Sequence, residues 1–308
     1  LSEFMKDKIV ITGGTGMVGQ SLQKIMPNAI YLSSKDCDLS NLDETIKFFK
    51  KEKPDTIVHI AGRVGGILEN LKYPVDFLEE NIFINTNLCK AAHISGTKNL
   101  MAVLSTCIYP ENADRYPMTE DQLYNGPPPI QNFSYAYAKR CMAVQIDSYV
   151  QQYKKSNWCY IIPCNLYGED DKFKYERSHY VSSLIDKIYN SKDGKIHLLG
   201  TGTPLRQFMY SGDLALAIKS LIEKNIFENV NIANDEVCSI KEIAEIALKA
   251  LGRKDLEIVF SGNEIEDGNY RKDVSSEKLK EILGGFEFTS LSKGIKKVYN
   301  IYKDRNEK

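Results

Sequence analysis

KIVITGGTGMVGQSLQKI, residues 8–25, joins a short apolar run to a glycine-rich turn and then to a segment with helical spacing. Gly13, Gly16 and Gly19 stand three apart, and the last falls inside the segment 17–25 that the spacing predicts to be a helix. Glycine at such positions lets the backbone turn tightly and approach a pyrophosphate, whose charge then sits at a helix N-terminus. A glycine triplet also occurs in surface turns. The strand before it and the helix after it are what give this one a phosphate-binding reading, with Met17 and Val18 carried in the same loop.

Working outward, AIYLSS (29–34), TIVHIA (56–61) and LMAVLST (100–106) join KIVIT (8–12) as short runs apolar on both faces. Between them the spacing predicts helices over 17–25, 41–52 with Ser40 as its cap, and about 75–95. Strands alternating with helices make a parallel, doubly wound sheet. A longer amphipathic helix is expected from Ser134 to Lys154, and NWCYIIPCNLYG (157–168) supplies a further strand and turn. Beyond Gly168 the alternation loosens. Residues 169–204 are polar and turn-rich, RQFMYSGDLALAIKSLIEK (206–224) reads as a loop and a helix, and 230–308 mixes short strands with small helices.

The fold class expected is therefore α/β, a doubly wound parallel sheet of the Rossmann kind with a smaller α+β part. A nucleotide domain would span 5–165 plus about 205–229, and a substrate domain 166–204 plus about 230–308. The opening LSEF (1–4) reads as a cloning scar, with Met5 as the natural start.

The chain has 308 residues and a formal net charge of −1, so no basic stripe argues for nucleic acid or an anionic membrane. Its longest apolar runs are far too short to cross a bilayer. Seven cysteines, at 37, 89, 107, 141, 159, 164 and 238, show no C-x-x-C spacing. That pattern suits reduced thiols in a cytoplasm better than disulfides or a metal site, and most of them read as core filler.

At the end of the second strand an NAD-selective site would carry Asp or Glu for the ribose 2′-hydroxyl, whereas Ser33, Ser34 and Lys35 stand there. Two hydroxyls and an ammonium suit a 2′-phosphate, which favours NADP. Asp36, one residue on, keeps NAD open. Asp38 and Leu39 in DLS, and Ala61 and Gly62 in HIAGRVGG, fall where the second and third strands should end, at the sheet edge where ligands bind.

In NFSYAYAKRC, Tyr135 and Lys139 are four apart and share one helical face. A lysine ammonium beside a phenol favours phenolate and would bring Tyr135 toward a useful pKa for protonating a carbonyl under reduction. Taken alone, the pair reads equally as an ordinary helix pair. Ser105, expected to end the strand before this helix, could hydrogen-bond the same carbonyl oxygen. Glycine loop, strand-end serine and Tyr-x-x-x-Lys in that order are far more specific than any one of them.

With these residues in place the chain resembles the extended short-chain dehydrogenase/reductase superfamily and, within it, the GDP-L-fucose synthases. The likeness rests on ITGGTGMVG, VGGI, LSTCIYP, NGPP with NFSYAYAKR, PCNLYG, GTGTPLRQF and SIKEIAEI, and runs from Lys8 to about Tyr302. It implies an NADPH-dependent homodimer that epimerises C3 and C5 of GDP-4-keto-6-deoxy-D-mannose and then reduces C4. Tyr135 would be the proton donor, Ser105 would orient the ketone, and Lys139 would hold ribose hydroxyls. Cys107 matches the family's epimerisation base and His179 its acid, with Pro163 and His179 also bordering the cofactor. Asn165, Lys187 and Arg206 match substrate contacts, the two cations toward the pyrophosphate; Lys187 reads equally as a solvated helix residue. Without the surrounding motif, Cys107 would read as structural and His179 as a solvated loop residue.

The chain departs from that pattern at Gly62 in place of alanine, at Cys164 in place of threonine, and at YVSS after His179. With DDKFKYER just before the histidine, these changes lie where the sugar should sit. A reductase acting without epimerisation on another GDP-4-keto sugar, such as a heptose for surface polysaccharide, therefore remains an alternative. A non-catalytic NADP-binding sensor would not need Ser105, Tyr135 and Lys139 together. A UDP- or dTDP-sugar 4-epimerase with bound NAD is disfavoured by Lys35 and Cys107.

Overall fold

The computed structural model describes residues 7–173 and 178–307. The LSEF segment, Met5 and part of DDKFKYER lie outside the described residues. Six strands form the main sheet: β1 (Ile9–Thr12), β2 (Ile30–Leu32), β3 (Thr56–His59), β4 (Asn99–Val103), β5 (Trp158–Pro163) and β9 (Val230–Ile232). Their order is β2-β1-β3-β4-β5-β9 and every pairing is parallel. Helices α1 (Met17–Ile25), α2 (Leu42–Glu52), α4 (Pro74–Ile94), α5 (Phe133–Tyr153) and α7 (Ser211–Glu223) cover it. β3, β4 and β5 are buried along their whole length, which is why they read as continuous apolar runs. The α/β doubly wound expectation is met.

A second core gathers around a three-stranded sheet, β10 (Val237–Ser239), β8 (Leu205–Tyr210) and β6 (Asn165–Tyr167), and a parallel pair, β11 (Glu257–Phe260) with β7 (Lys195–Leu198). Helices α6 (Tyr180–Asn190), α8 (Ile240–Leu251) and α10 (Leu291–Asn306) supply Val181, Leu184, Ile185, Ile243, Ala247 and Ile295 to that core. The short helices α3 (Ile67–Lys72) and α9 (Glu277–Leu283) complete the chain.

Four local readings are corrected. The segment read as a loop ahead of α7 is strand β8, whose Gln207 is buried because its amide bonds the Asn234 and Val274 carbonyls and the Val274 amide. Asn41, not Ser40, caps α2: its side chain accepts from the Glu44 amide, while the Ser40 hydroxyl is taken by Asp38. LMAVLST is a strand only to Val103; Thr106–Ile108 form one 3-10 turn capped by Ser105. Residues 230–232 pair with β5 in the main sheet, and Val274 and Leu279 join the main core, so that core reaches past residue 230, into the stretch read as substrate domain.

Candidate active site

The glycine loop leaves β1 and enters α1. Gly13 has φ +73°, and a Cβ there would lie 2.9 Å from the Ala61 amide nitrogen. A Cβ on Gly19 would come within 2.5 Å of the Gly13 and Gly14 carbonyl oxygens, so the helix can approach the loop only with glycine there. The start of α1 differs from that of α2 in a telling way. α2 has a side-chain cap and two acids, Asp43 and Glu44, in its first turn; α1 has neither. Among the described residues the first amides of α1, at Met17 and Val18, thus meet no capping side-chain oxygen and no first-turn carboxylate, as a phosphate cradle requires.

Beside the loop, Thr12 ties β1 to β3. Its hydroxyl accepts from the Ile60 and Ala61 amides, both at 3.2 Å, and so donates to His59 Nδ1 at 2.8 Å. His59 Nε2 then donates to Asn85 Oδ1 at 3.0 Å. Burial, with the nearby Lys139 charge, holds this histidine down at about 3, so it is neutral. The network fixes Ala61 and Gly62 at the sheet edge.

The turn after β2 holds Ser33, Ser34 and Lys35, the residues expected to select the cofactor. The Asp36 carboxylate accepts from the Ser33 amide (2.8 Å) and hydroxyl (2.5 Å), which hold its carboxyl below the usual carboxylate range. Asp36 is thereby spent on shaping the turn, and the exposed Ser34 and Lys35 present a hydroxyl and an ammonium. Asp38 is likewise committed, to the Ser40 amide and hydroxyl, while Leu39 lies in the core.

Helix α5 delivers Tyr135 and Lys139, both buried. Lys139 Nζ donates to the Val103 carbonyl at 3.1 Å and lies 6.0 Å from the Tyr135 ring centre. Burial pulls the Lys139 ammonium down to about 8, with Cys107 opposing. Burial, with Cys107 adding, pushes the Tyr135 phenol up. The expected lowering of Tyr135 by Lys139 is therefore not present: desolvation outweighs the lysine, and the phenol stays protonated. That is the form a proton donor must have before it acts.

Cys107 is nearly fully buried on the turn that Ser105 caps; the Ser105 hydroxyl accepts from the Cys107 amide at 3.4 Å. Burial pushes its thiol up, while Ser105, Lys272 and Lys139 pull it down. Lys272 was not named from the sequence. It is half-buried, and burial together with the Arg206 charge takes its ammonium down to about 8, Cys107 and Cys164 opposing. Arg206 is held only by carbonyls, of Leu205 (2.8 Å), Asp267 (2.8 Å) and Tyr270 (3.4 Å), and burial pulls it down to about 10. Among the described residues neither cation makes an ion pair, so the two form an anion-binding corner next to Cys107.

His179 caps α6 from the other side of the chain. Its Nδ1 faces both oxygens of Asp171 at 3.2 Å, and the Asp171 carboxylate also accepts from Ser182 Oγ at 2.5 Å. The Asp171 hydrogen bond raises the His179 pKa against its burial, and Nε2 has no hydrogen-bond partner among the described residues. Asp171 was also missed from the sequence; its one signal is its place eight residues before the histidine. Asn165 donates to the Gln207 carbonyl at 2.9 Å, which seats it between β6 and β8, and Pro163 ends β5. The Lys187 ammonium donates to the His197 carbonyl of β7 at 2.6 Å. Among the described residues no group of His, Cys, Asp and Glu could hold a metal, and no helix is long and apolar enough to cross a membrane.

Residues 9–233 match the NAD dependent epimerase/dehydratase family. The probable GDP-L-fucose synthase of Drosophila melanogaster is 35% identical over 312 residues, covering 94% of each chain. Among solved structures, a GDP-L-fucose synthetase from Naegleria fowleri bound to NADP superposes with a TM-score of 0.86 at 30% identity, covering 100% of this chain and 95% of that one. A GDP-6-OMe-4-keto-L-xylo-heptose reductase from C. jejuni superposes with a TM-score of 0.89 at 26% identity, covering 97% and 98%.

Proposed function

This chain belongs to the NAD dependent epimerase/dehydratase family, within the group that holds the GDP-L-fucose synthases, and we infer that it is an NADPH-dependent oxidoreductase that epimerises a GDP-linked 4-keto-6-deoxy sugar at C3 and C5 and reduces it at C4. The observation that carries this reading is the adjacency of Cys107 to the Ser105, Tyr135 and Lys139 set, with the Arg206 and Lys272 corner beside it.

The C4 ketone makes the hydrogens on C3 and C5 acidic, because the electron pair left behind is delocalised onto the carbonyl oxygen. Cys107 as thiolate takes the proton from one face, and His179, its pKa raised by the Asp171 hydrogen bond, returns one from the other. Ser105 and Tyr135 hydroxyls donate to the ketone oxygen as negative charge builds there. When bound, the nicotinamide of NADPH supplies the hydride to C4. Tyr135 gives its phenolic proton to O4, and the Lys139 ammonium stabilises the phenolate that remains and holds the ribose hydroxyls. Arg206 and Lys272 take the diphosphate, with Asn165 against the sugar; Lys187 would join them only by leaving its carbonyl partner. Ser34 and Lys35 take the 2′-phosphate, supporting NADP over NAD.

All seven cysteines are free thiols, which supports a cytoplasmic enzyme. Helices α4 and α5 pack together and leave Phe83 and Val144 about half exposed, which supports a homodimer through that pair. A second reading, C4 reduction alone on a heptose, is favoured by the closeness of the heptose reductase fold and by the YVSS departure at α6. Comparing kcat/KM for GDP-4-keto-6-deoxy-D-mannose and a GDP-4-keto-heptose with NADPH separates the two. Preference for the first supports the inference, and turnover of the heptose alone contradicts it.

A further inference from the structure

Arg140 follows Lys139 on α5 but turns toward a different part of the site. It is buried, and among the described residues it makes no ion pair. Its Nε donates to the Ile108 carbonyl at 2.9 Å, Nη2 donates to the same oxygen, and Nη1 donates to the Gly126 carbonyl at 2.8 Å. Ile108 ends the 3-10 turn that carries Cys107, and Gly126 is the second residue of the NGPP loop (125–128). One planar fork thus clamps the Cys107 turn and the neighbouring loop to the helix that carries Tyr135.

Apart from the Tyr137 ring, whose centre lies 5.7 Å from its Cζ, the partners of this buried guanidinium among the described residues are carbonyls, an expensive clamp if clamping is all it does. Its charge is left uncompensated, and burial lowers its pKa while Tyr137, Tyr124 and Cys107 oppose that shift. A Cys107 thiolate would supply the missing negative charge. The other groups facing Cys107 are Tyr135 and Lys139 from α5, Lys272 from the segment before α9, and Ser105 from its own turn.

We propose that Arg140 is the positioning residue for Cys107, its fork fixing the turn that aims the sulfur and its charge favouring the thiolate. This rests on the reading of Cys107 as the epimerisation base. Lys139 and Arg140 then divide the work of α5: the first serves hydride transfer, and the second serves proton abstraction.

The test uses the full chain with bound NADP and compares Arg140→Lys and Arg140→Met with the parent. Deuterium entry at C3 and C5 of GDP-4-keto-6-deoxy-D-mannose in heavy water is read by NMR. The pH dependence of Cys107 alkylation by iodoacetamide is read by peptide mass spectrometry, and NADPH affinity reports that the fold is intact. Arg140→Met is expected to slow exchange by roughly 10- to 100-fold, the scale of a misplaced catalytic group, and to move the alkylation midpoint to higher pH. Arg140→Lys, which keeps the charge but loses the fork, is expected to restore the midpoint and not the exchange rate. Variants that bind NADPH but keep both the exchange rate and the midpoint of the parent overturn the proposal. Undiminished exchange in Cys107→Ala would instead overturn the base assignment, and the alkylation midpoints would still decide whether Arg140 acts on Cys107.

Discussion

Two corners of the candidate site are built in opposite ways. Ser105 caps the 3-10 turn that follows a fully buried strand, and Tyr135 and Lys139 stand on the first two turns of a 21-residue helix, with Lys139 pinned to a strand carbonyl. His179 is the N-cap residue of α6, and among the described residues its ring is held by Asp171, which Ser182 holds in turn. Hydride transfer needs one geometry held rigidly, and a strand and a helix of the main core provide it. In the proposed function, proton return from the opposite face of the sugar falls to His179, at the cap of a helix on the smaller core. The two corners should therefore fail separately.

The largest effect is expected for Tyr135→Phe. Loss of the proton donor should lower NADPH oxidation by about 10²- to 10⁴-fold with little change in NADPH affinity, while deuterium exchange at C3 and C5 persists. Exchange lost in parallel with reduction would break the separation. Next in size, Cys107→Ser should reduce exchange by about 10²-fold and leave slow C4 reduction of the unepimerised ketone; product with the parent's stereochemistry would refute the base assignment.

Asp171→Asn sharpens the comparison. The carboxylate raises the His179 pKa, so removing it lowers that pKa and the protonated fraction is lost at lower pH. The alkaline fall in exchange should move to lower pH, with a rate loss of about tenfold and unchanged hydride transfer measured under single turnover. The smallest effect belongs to the exposed rim: Lys35→Glu should weaken NADPH by about tenfold relative to NADH, the scale of one charge-assisted bond. Equal preference in parent and variant would remove Lys35 from the cofactor site.

The reductive corner was legible because its signals are local. Gly13, Gly16 and Gly19 are spaced by the turn they make, and Tyr135 and Lys139 are spaced by a helical turn. The other corner depends on side chains brought together by the second core. Lys272 sits in an unremarkable polar stretch, 165 positions after Cys107 in the sequence numbering, and only packing sets it beside Arg206. β8 was hidden for the same reason: its buried Gln207 breaks the apolar pattern because its amide bonds are made to Asn234 and Val274, far along the chain. Tyr135 shows the limit of spacing even where the motif is clear. Four residues place Lys139 on the right face, but burial rather than the lysine sets the phenol's protonation.

In the proposed function one site carries both an epimerisation pair and a reductase set. Incubating the protein with GDP-4-keto-6-deoxy-D-mannose in heavy water, first with NADP and then with NADPH, and reading C3, C4 and C5 by NMR tests it most directly. Deuterium at C3 and C5 before any reduction, followed by hydride at C4 on adding NADPH, is the predicted result. Reduction at C4 with only protium at C3 and C5 would contradict it.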